Sequence, residues 1–271
     1  MTDQRKERIN MTMKGIDVSK WQGTIDFVKV KESGIDFVII RAGYGKETSQ
    51  KDPCFEKNYA GAKAAGLHVG AYWYSYAESV EDAKKEADAC LAIIKGKQFD
   101  FPVYLDVEEK KQFAKGKDFC DSIITEFCNA LEAAGYYAGL YMSTSYLNNY
   151  VSESVRKRYT VWVAQYASKC AYKGQYGIWQ YSSKGSVPGV SGNCDMDECY
   201  MDFPSIITEG AFNGYTREGT SSSTYKTVDE IAREVIDGQW GNGEDRKKRL
   251  TDAGYDYAAV QKRVNEILKK F

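Results

Sequence analysis

Two carboxyl groups at the end of an apolar run are the part of the sequence best suited to chemistry. The run 101–105 leads into Asp106, Val107 and Glu108. Because side chains alternate along a strand, a strand here places Asp106 and Glu108 on one side, with Cα atoms roughly 6.6 Å apart. Crowded carboxyl groups do not ionise equally: one keeps its proton while the other stays charged. Cleavage of a glycosidic bond needs that combination, a proton donor for the leaving oxygen and a negative group beside the oxocarbenium-like centre.

Two further acids have positions that suit the same chemistry. Asp17 lies in the otherwise apolar segment 15–18, which is predicted to be the first strand. Asp195 begins the last predicted strand, two residues before another acid, Asp197. A closed barrel places its first and last strands side by side, so both regions can converge on Asp106 and Glu108.

The single histidine excludes several other classes of enzyme. Zinc sites that use two histidines cannot be formed with His68 alone. The chain has no G-x-S-x-G segment, so a serine hydrolase of that kind is also excluded. A cysteine peptidase could use only His68, which lies in an apolar run typical of the entrance to a buried strand. Neither a metal nor a cofactor is expected.

Charge and hydropathy exclude two classes of partner. The formal net charge is -1, so the chain as a whole is not expected to bind nucleic acid or an anionic membrane. No apolar run of 18 residues is present, which argues against a membrane span. Aromatic residues make up 14% of the chain, and rings of this kind can stack against the apolar faces of sugars.

The seven cysteines are scattered and form no C-x-x-C pair. This arrangement predicts free, mostly buried thiols rather than a zinc ribbon or a redox motif. A bridge between Cys194 and Cys199 across a turn is the alternative.

The acids belong to a segment in which strands and helices alternate. This order of elements predicts an α/β fold, a modified (β/α) TIM-like barrel with irregular last units. The predicted strands are 15–18, 36–42, 68–76, 101–107, 136–142, 160–166, 176–181 and 193–202, and the predicted helices are 55–65, 79–95, 117–134 and 145–156.

Composition divides the chain into four parts. Residues 1–13 are an N-terminal extension without an apolar core, and residues 14–210 form the barrel. Residues 211–224 are polar and rich in Gly and Ser, as in a linker. Residues 225–271 contain three short helical patterns, which predict a compact three-helix bundle.

Several segments of the barrel region, taken in order, resemble glycoside hydrolase family 25, the muramidase-type lysozymes. They are GIDVSKWQG, FVIIRAGYG, GAYWYSYA, FPVYLDVE, LYMS, VWVAQY, IWQYSS and GSVPGVSGNCD, between residues 14 and 205. The resemblance implies hydrolysis of the β-1,4 bond between N-acetylmuramic acid and N-acetylglucosamine in bacterial peptidoglycan.

The resemblance also implies roles for particular residues. Glu108 would be the general acid, and Asp106 would orient the substrate's N-acetyl group or serve as the second carboxylate. Asp17 and Asp195 would be further acids of the cleft, although members of the family usually have a neutral residue at the position of Asp197. The residues expected to bind substrate are Arg41, Tyr72, Trp73, Tyr74, Tyr141, Trp162, Gln165 and Trp179.

The tail resembles the short wall-binding repeat of the Cpl-seven type, in a single copy. This implies binding to the wall through a weak site, which tethering or a homodimer would reinforce. The candidate wall-binding residues are Trp240, Asn242, Arg249 and Tyr255.

These features together predict a phage-type endolysin that acts on bacterial peptidoglycan, in particular the wall of a Gram-positive bacterium. The N-terminus lacks the apolar core of a signal peptide, so the protein is expected to be cytoplasmic in the producing cell and to act on the wall after release. An autolysin encoded by the host, a chitinase-like enzyme on the same barrel and an inactive wall-binding protein are the alternatives.

Overall fold

The computed structural model describes residues 12–216, 228–252, 255 and 257–268. The chain divides into two compact units, residues 1–215 and 216–271, each of which is described by itself. The predicted extension therefore lies outside the described residues except for Thr12 and Met13, and Met13 already begins the first strand.

Eight strands of the first unit form a closed barrel in the order of the chain. Strands β1 to β7 are parallel neighbours, whereas β8 runs antiparallel to both β7 and β1. The predicted α/β barrel with irregular last units is confirmed. The strands are β1 (Met13–Val18), β2 (Phe37–Tyr44), β3 (His68–Tyr74), β4 (Val103–Asp106), β5 (Ala138–Ser143), β6 (Thr160–Ala164), β7 (Ile178–Gly185) and β8 (Cys194–Cys199).

The helices of this unit include all four predicted regions and several shorter helices that the sequence pattern did not indicate. They are α1 (Phe27–Glu32), α2 (Phe55–Ala64), α3 (Val80–Ile94), α4 (Lys110–Phe113), α5 (Lys117–Ala133), α6 (Thr144–Tyr150), α7 (Glu153–Arg158) and α8 (Phe203–Gly210). The predicted helix 145–156 is in fact two helices. Val151 is extended, and the side chain of Ser152 accepts a hydrogen bond from the Val155 amide, which begins a second helix.

Alternation along the strands divides the barrel core into an outer layer beneath the helices and an inner layer within the barrel. In β4, for example, Val103 and Leu105 belong to the outer cluster and Tyr104 to the inner one. Glycine leaves room for large rings in the inner layer: a Cβ on Gly139 would lie 2.4 Å from the Tyr104 ring. These packed rings fill the barrel below the carboxyl ends of its strands.

The amino end of the barrel is closed by helix α8 and the segment that follows it. Phe203 of α8 packs on the inner cluster, with its ring centroid 5.5 Å from that of Phe101. Asn213 is fully buried, and its side chain accepts from the Tyr137 amide (2.7 Å) and donates to the Phe101 carbonyl (2.8 Å). The prediction that the linker begins at 211 is therefore wrong, because 211–215 belong to the barrel, and 217–224 lie outside the described residues.

The described part of the second unit contains three helices around a small apolar core. The helices are α9 (Val228–Ile236), α10 (Gly243–Asp252) and α11 (Tyr257–Leu268). Their buried side chains are Ile231, Ala232, Val235, Leu250, Val260 and Val264. None of the helices in the described residues of either unit is long and apolar enough to cross a membrane.

Candidate active site

The acids predicted from the sequence meet where the parallel strands end. Asp17 is the penultimate residue of β1, and Asp106 is the last residue of β4. Asp195 lies near the start of the antiparallel strand β8, opposite Asp17 in the register of the two strands. This end of the barrel, called the mouth below, is where enzymes built on such barrels carry their active sites.

Asp106 and Glu108 form a coupled pair at the mouth. The two carboxyl groups follow one another at the end of β4, and repulsion between their charges favours one proton shared by the pair. Asp106 is only 4% exposed, and burial together with the Glu108 charge raises its pKa well above the ordinary range. Glu108 is exposed, but desolvation of its carboxyl group still raises its pKa, against the opposing effect of the neighbouring Asp106 and Tyr141 side chains. The pair therefore holds a proton, and only Glu108 extends far enough to deliver it.

Three acids face the same interior from the other side of the barrel. Burial raises the pKa of Asp17 well above its ordinary range, and Asp197 and Asp195 raise it further. Asp195 is partly exposed at the rim, whereas Asp197, opposite Gly15 in the register, is fully buried beneath it. Asp195 and Asp197 thus both point inward, and Asp195 is the one that is exposed at the mouth.

A buried hydrogen-bond network supports the loop that carries Glu108. The Glu86 carboxylate on α3 accepts from the Ser75 hydroxyl and from the Tyr76 amide, both at 2.7 Å. Gln112 of α4 donates to the same hydroxyl at 3.0 Å, and the Ser75 amide donates to the Asp106 carbonyl at 2.9 Å. Burial raises the pKa of Glu86 to about 7. Sequence reasoning missed this network, because no local pattern connects residues so far apart.

The predicted substrate-binding tryptophans are core residues. Trp73 and Trp179 lie in the outer layer, and their indole nitrogens donate to the carbonyls of Gly45 and Gln165. Trp162 is buried in the inner layer and donates to Asp197 at 2.8 Å. The prediction that these rings line sugar subsites is wrong. Consecutive residues of a strand face opposite sides, so Trp73 cannot share a surface with its two tyrosine neighbours.

The predicted tyrosines lie on the inner side of the barrel, closer to the acids. The Tyr141 hydroxyl donates to Gln180 at 2.8 Å, and Tyr141 lies beside Glu108 in the wall of one cavity. Tyr74 donates to Glu109 at 2.9 Å, and Tyr72 is 9% exposed. These positions are compatible with contact to a ligand at the mouth.

Arg41 is held in place by an internal ion pair. Its Nη2 lies 2.7 Å from Asp52, which also accepts from the Lys20 amide at 3.0 Å. The guanidinium charge lowers the pKa of Asp106, against the larger effect of burial. Arg41 therefore acts electrostatically on the mouth, and its side chain is already engaged by Asp52.

A cavity of about 280 Å³ lies beside the proton donor. Its walls include Glu108, Tyr141, Tyr146, Gln165 and Tyr166. Gln165 thus lies where it was predicted, although its side-chain oxygen already accepts from the Ala171 amide at 2.7 Å. The cavity combines aromatic faces with polar groups, which suits a sugar ring.

Three exposed aromatic residues around the mouth were not predicted to bind substrate. Trp21 is 75% exposed, Tyr76 48% and Tyr166 58%, and they follow β1, β3 and β6 respectively. The Tyr76 ring lies 5.0 Å from that of Tyr74. Their position directly after a strand was the available signal, because loops that follow parallel strands meet at one end of a barrel.

The opposite end of the barrel contains other surface features but none of these acids. His68 begins β3 there, with Nδ1 3.9 Å from Asp100, so it is remote from the mouth. A concavity of about 580 Å³ is lined by Arg156, Tyr159 and Gly177, among others. Within the described residues, no group of three or more His, Cys, Asp and Glu side chains could hold a metal ion.

Two of the predicted wall-binding residues help to hold the three-helix unit together. Trp240 and Tyr255 pack edge to face, with ring centroids 5.8 Å apart, against the apolar core of the unit. The indole nitrogen of Trp240 donates to Glu234 at 3.0 Å. Both rings therefore have a structural role.

The other two predicted wall-binding residues lie on the surface of the unit. Asn242 accepts a hydrogen bond from Arg246 at 3.0 Å. Arg249 is 56% exposed and pairs with Asp245 one turn earlier. A role in wall binding for any of the four stays a prediction.

Neighbouring acids with raised pKa values and an aromatic cavity meet at the carboxyl ends of parallel strands, an arrangement that suits the cleavage of a glycosidic bond. The model of glycosyl hydrolases family 25 matches residues 16–190, and the chain belongs to this family. The model of the CW_7 repeat matches residues 229–268.

Named relatives share the same regions. The chain is 35% identical to the autolytic lysozyme of Clostridium acetobutylicum over 187 residues, which are 69% of this chain and 55% of that protein. It therefore spans about half the length of that relative. The lysozyme of Streptococcus phage Cp-7 is 27% identical over 263 residues, 93% of this chain and 69% of its own. The crystal structure of the Streptomyces coelicolor lysozyme matches with a TM-score of 0.62 and 26% identity, over 70% of this chain and 92% of that one.

Proposed function

We propose that this chain is a muramidase, which hydrolyses the β-1,4 bond between N-acetylmuramic acid and N-acetylglucosamine in bacterial peptidoglycan. The observation that carries the proposal is the Asp106–Glu108 pair, whose shared proton faces an aromatic cavity at the mouth of a family 25 barrel. The names of the lysozyme relatives support the choice of peptidoglycan over other glycans.

In the proposed reaction, each step is carried out by particular acids of the mouth. Glu108 gives its proton to the glycosidic oxygen, so the bond from that oxygen to the anomeric carbon breaks and the leaving sugar departs as an alcohol. The oxocarbenium-like centre that develops is stabilised by the negative charge that the Asp106–Glu108 pair gains as its proton leaves, with Asp17 and Asp195 as further carboxyl groups across the mouth. Water then adds to the anomeric carbon, and its proton returns to the Glu108 carboxylate.

The C-terminal unit is proposed to hold the enzyme on the wall. The CW_7 match and the likeness to the Cp-7 phage lysozyme over both units support this role. A weak site on a tether raises the local concentration of glycan strands around the mouth, and a homodimer would add a second such site. Purified Gram-positive walls are the natural material on which to test it.

The experiment that tests the reaction is the identification of the sugar at the newly formed reducing ends. Purified peptidoglycan is digested, reduced with borohydride and analysed by mass spectrometry. Reduced N-acetylmuramic acid at every new end is the expected result. Reduced N-acetylglucosamine would show a different glycosidase, and walls without new ends would show an inactive binding protein. The Glu108→Gln chain serves as the matched blank.

A further inference from the structure

Trp21 is an exposed tryptophan on a short turn that directly follows the first strand of the barrel. Its side chain is 75% exposed, whereas Trp73, Trp162 and Trp179 are buried in the barrel. The indole ring is large and mostly apolar, so leaving it in water forgoes the stabilisation that burial would give. Single exposed rings are common on protein surfaces, so what distinguishes Trp21 is how it is held and where it lies.

The turn that carries Trp21 is fixed by its own hydrogen bonds. The Ser19 hydroxyl accepts from the Trp21 amide at 3.3 Å, and the Gln22 side chain accepts from the Ser19 amide at 2.9 Å. The two ends of the turn thus cap each other. The Gly23 amide donates to the Lys20 carbonyl at 3.1 Å. The ring therefore extends from a closed, hydrogen-bonded turn.

A buried carboxylate joins this turn to the neighbouring strand. Asp52 is 1% exposed, and its Oδ2 accepts from the Lys20 amide at 3.0 Å and from Nε of Arg41 at 2.7 Å. Its Oδ1 accepts from the Cys54 amide at 2.8 Å. Because Arg41 belongs to β2, the carboxylate ties the turn after β1 to the adjacent strand. A ring held in this way loses little conformational entropy when it stacks against a ligand.

The turn lies on the side of the mouth that faces the cavity beside Glu108. β1 is opposite β5 in the barrel, with three strands between them on either side. The cavity is lined by Tyr141 of β5 and by Gln165 and Tyr166, which follow β6. A glycan that occupies the cavity and passes over the acids of the mouth therefore reaches the β1 side only with a sugar further along the strand.

We propose that Trp21 is a stacking platform for a sugar of the glycan strand that is remote from the bond to be cleaved. The inference rests on the proposed function, in which the mouth binds peptidoglycan strands. The apolar face of the sugar packs on the indole plane, while its hydroxyls stay in water. The Lys20 ammonium lies 4.8 Å from the ring centroid and can donate to a hydroxyl or acetamido oxygen of the same sugar.

The length of the glycan separates this platform from the catalytic acids. Turnover by full-length chains is measured on soluble, uncross-linked peptidoglycan strands, divided into long strands and the shortest fragments that are cleaved. Trp21→Ala should raise KM for long strands about threefold to tenfold with kcat unchanged, because one stacking contact is lost from ground state and transition state alike. It should leave both constants for the shortest fragments unchanged, since these do not reach the β1 side.

Two further variants control for the ring and for its place in the barrel. Trp21→Phe keeps an aromatic face and should restore most of the affinity for long strands. Tyr200→Ala is the matched control, because Tyr200 is 41% exposed but follows β8, whose last residue pairs with Met13 at the start of β1. It should leave KM unchanged for strands of every length, and a Tm close to that of wild type shows that each variant is folded.

Binding gives a second readout that needs no cleavage. Long strands added to the Glu108→Gln chain should shift the indole emission to shorter wavelength, because a sugar replaces water at Trp21 while the other barrel tryptophans are already buried. Combining Glu108→Gln with Trp21→Phe should remove this shift.

The outcomes separate this inference from the proposed function. An unchanged KM of Trp21→Ala for long strands would overturn it, as would an equal rise in KM for the shortest fragments. A wild-type chain that cleaves no glycan would overturn the proposed function, and the emission of the Glu108→Gln chain would still decide whether Trp21 contacts a glycan.

Discussion

Buried carboxyl groups at the two ends of the barrel have pKa values that are shifted in opposite directions. At the mouth, burial and crowding raise the pKa of Asp17, Asp106 and Glu108 above their ordinary range. At the amino end, burial alone would raise the pKa of Asp100, but the nearby His68 side chain and hydrogen bonds from Tyr215, the Val69 amide and Lys63 hold it below the ordinary range. One end retains protons that can be transferred, and the other end holds a fixed negative charge.

The difference shows which end is used for chemistry and which for stability. Asp100 accepts from the Val69 amide and pairs with Lys63, both at 3.0 Å, so its charge ties strand β3 and helix α2 to the start of β4. That stability is present above the ordinary aspartate pKa near 4 and is lost as the pH falls below it. The acids at the mouth, whose pKa values are raised, have the opposite effect on the pH dependence of stability. They favour folding at low pH, and this contribution is lost as the pH rises.

The largest effect is expected from removing the proton donor at the mouth. Glu108→Gln cannot transfer a proton, so turnover of a soluble glycan fragment should fall about 10²–10⁴-fold while the Tm stays close to that of wild type. Glu109→Gln, the adjacent acid that accepts from Tyr74, is the matched control and should lose only a small fraction of that amount. A folded Glu108→Gln chain that keeps more than about a tenth of wild-type turnover would show that the donor is misassigned.

The next effect concerns the C-terminal unit. A chain that ends at residue 216 keeps the whole closed barrel, with Asn213 and Tyr215 in place, and should turn over soluble fragments at the wild-type rate. Its binding to purified sacculi should weaken, by up to about 10²-fold. Undiminished binding to sacculi would refute the wall-binding role, and loss of soluble turnover would instead make the unit a structural part of the enzyme.

A smaller effect, on stability, is expected from removing the Asn213 side chain, which helps to close the amino end of the barrel. Asn213→Ala leaves the Tyr137 amide and the Phe101 carbonyl without their partner, which should lower the free energy of unfolding by about 2–4 kcal/mol. Turnover at low temperature should persist, because the mouth is untouched. Asn149→Ala, an exposed position on α6, is the control for chemical denaturation. Equal midpoints for the two variants would contradict the stabilising role of the 211–215 segment.

The smallest effect is expected from reductant. All seven cysteines are free in the described residues. Cys194 belongs to the outer layer of β8 and Cys199 to the inner layer, so the two thiols lie on opposite faces of the strand and cannot bond. The Tm should be the same with and without reductant, and a fall of several degrees on reduction would reveal a bridge.

Prediction from the sequence worked where the pattern was local. Apolar runs located the strands of the barrel, although β4 ends at Asp106 and Glu108 follows in the loop, where the two carboxyl groups still affect each other's pKa. The alternation of side chains along a strand argued against Trp73 as a neighbour of Tyr72 and Tyr74 on one surface, although resemblance to the family had suggested it. Resemblance locates a segment more reliably than it assigns the direction of each side chain in it.

Prediction failed where the determining contacts are distant in sequence. Residues 211–215 directly precede the polar Gly- and Ser-rich segment and were grouped with it, but the buried contacts of Asn213 with residues 76 and 112 positions earlier show that they belong to the barrel. The Ser75–Glu86–Gln112 network and the hydrogen bond from Trp162 to Asp197 likewise join separate strands and helices. Such contacts leave no periodic signal in the chain.

The most direct test of the contrast between the two ends is a carboxyl carbon-13 NMR titration of the full chain, with Glu108→Gln and Asp100→Asn used to assign the two signals. The account predicts that Glu108 titrates above the ordinary range near 4 and Asp100 below it. A Glu108 signal that titrates at or below that range would contradict the account, because the mouth would then hold no proton to give to the glycosidic oxygen.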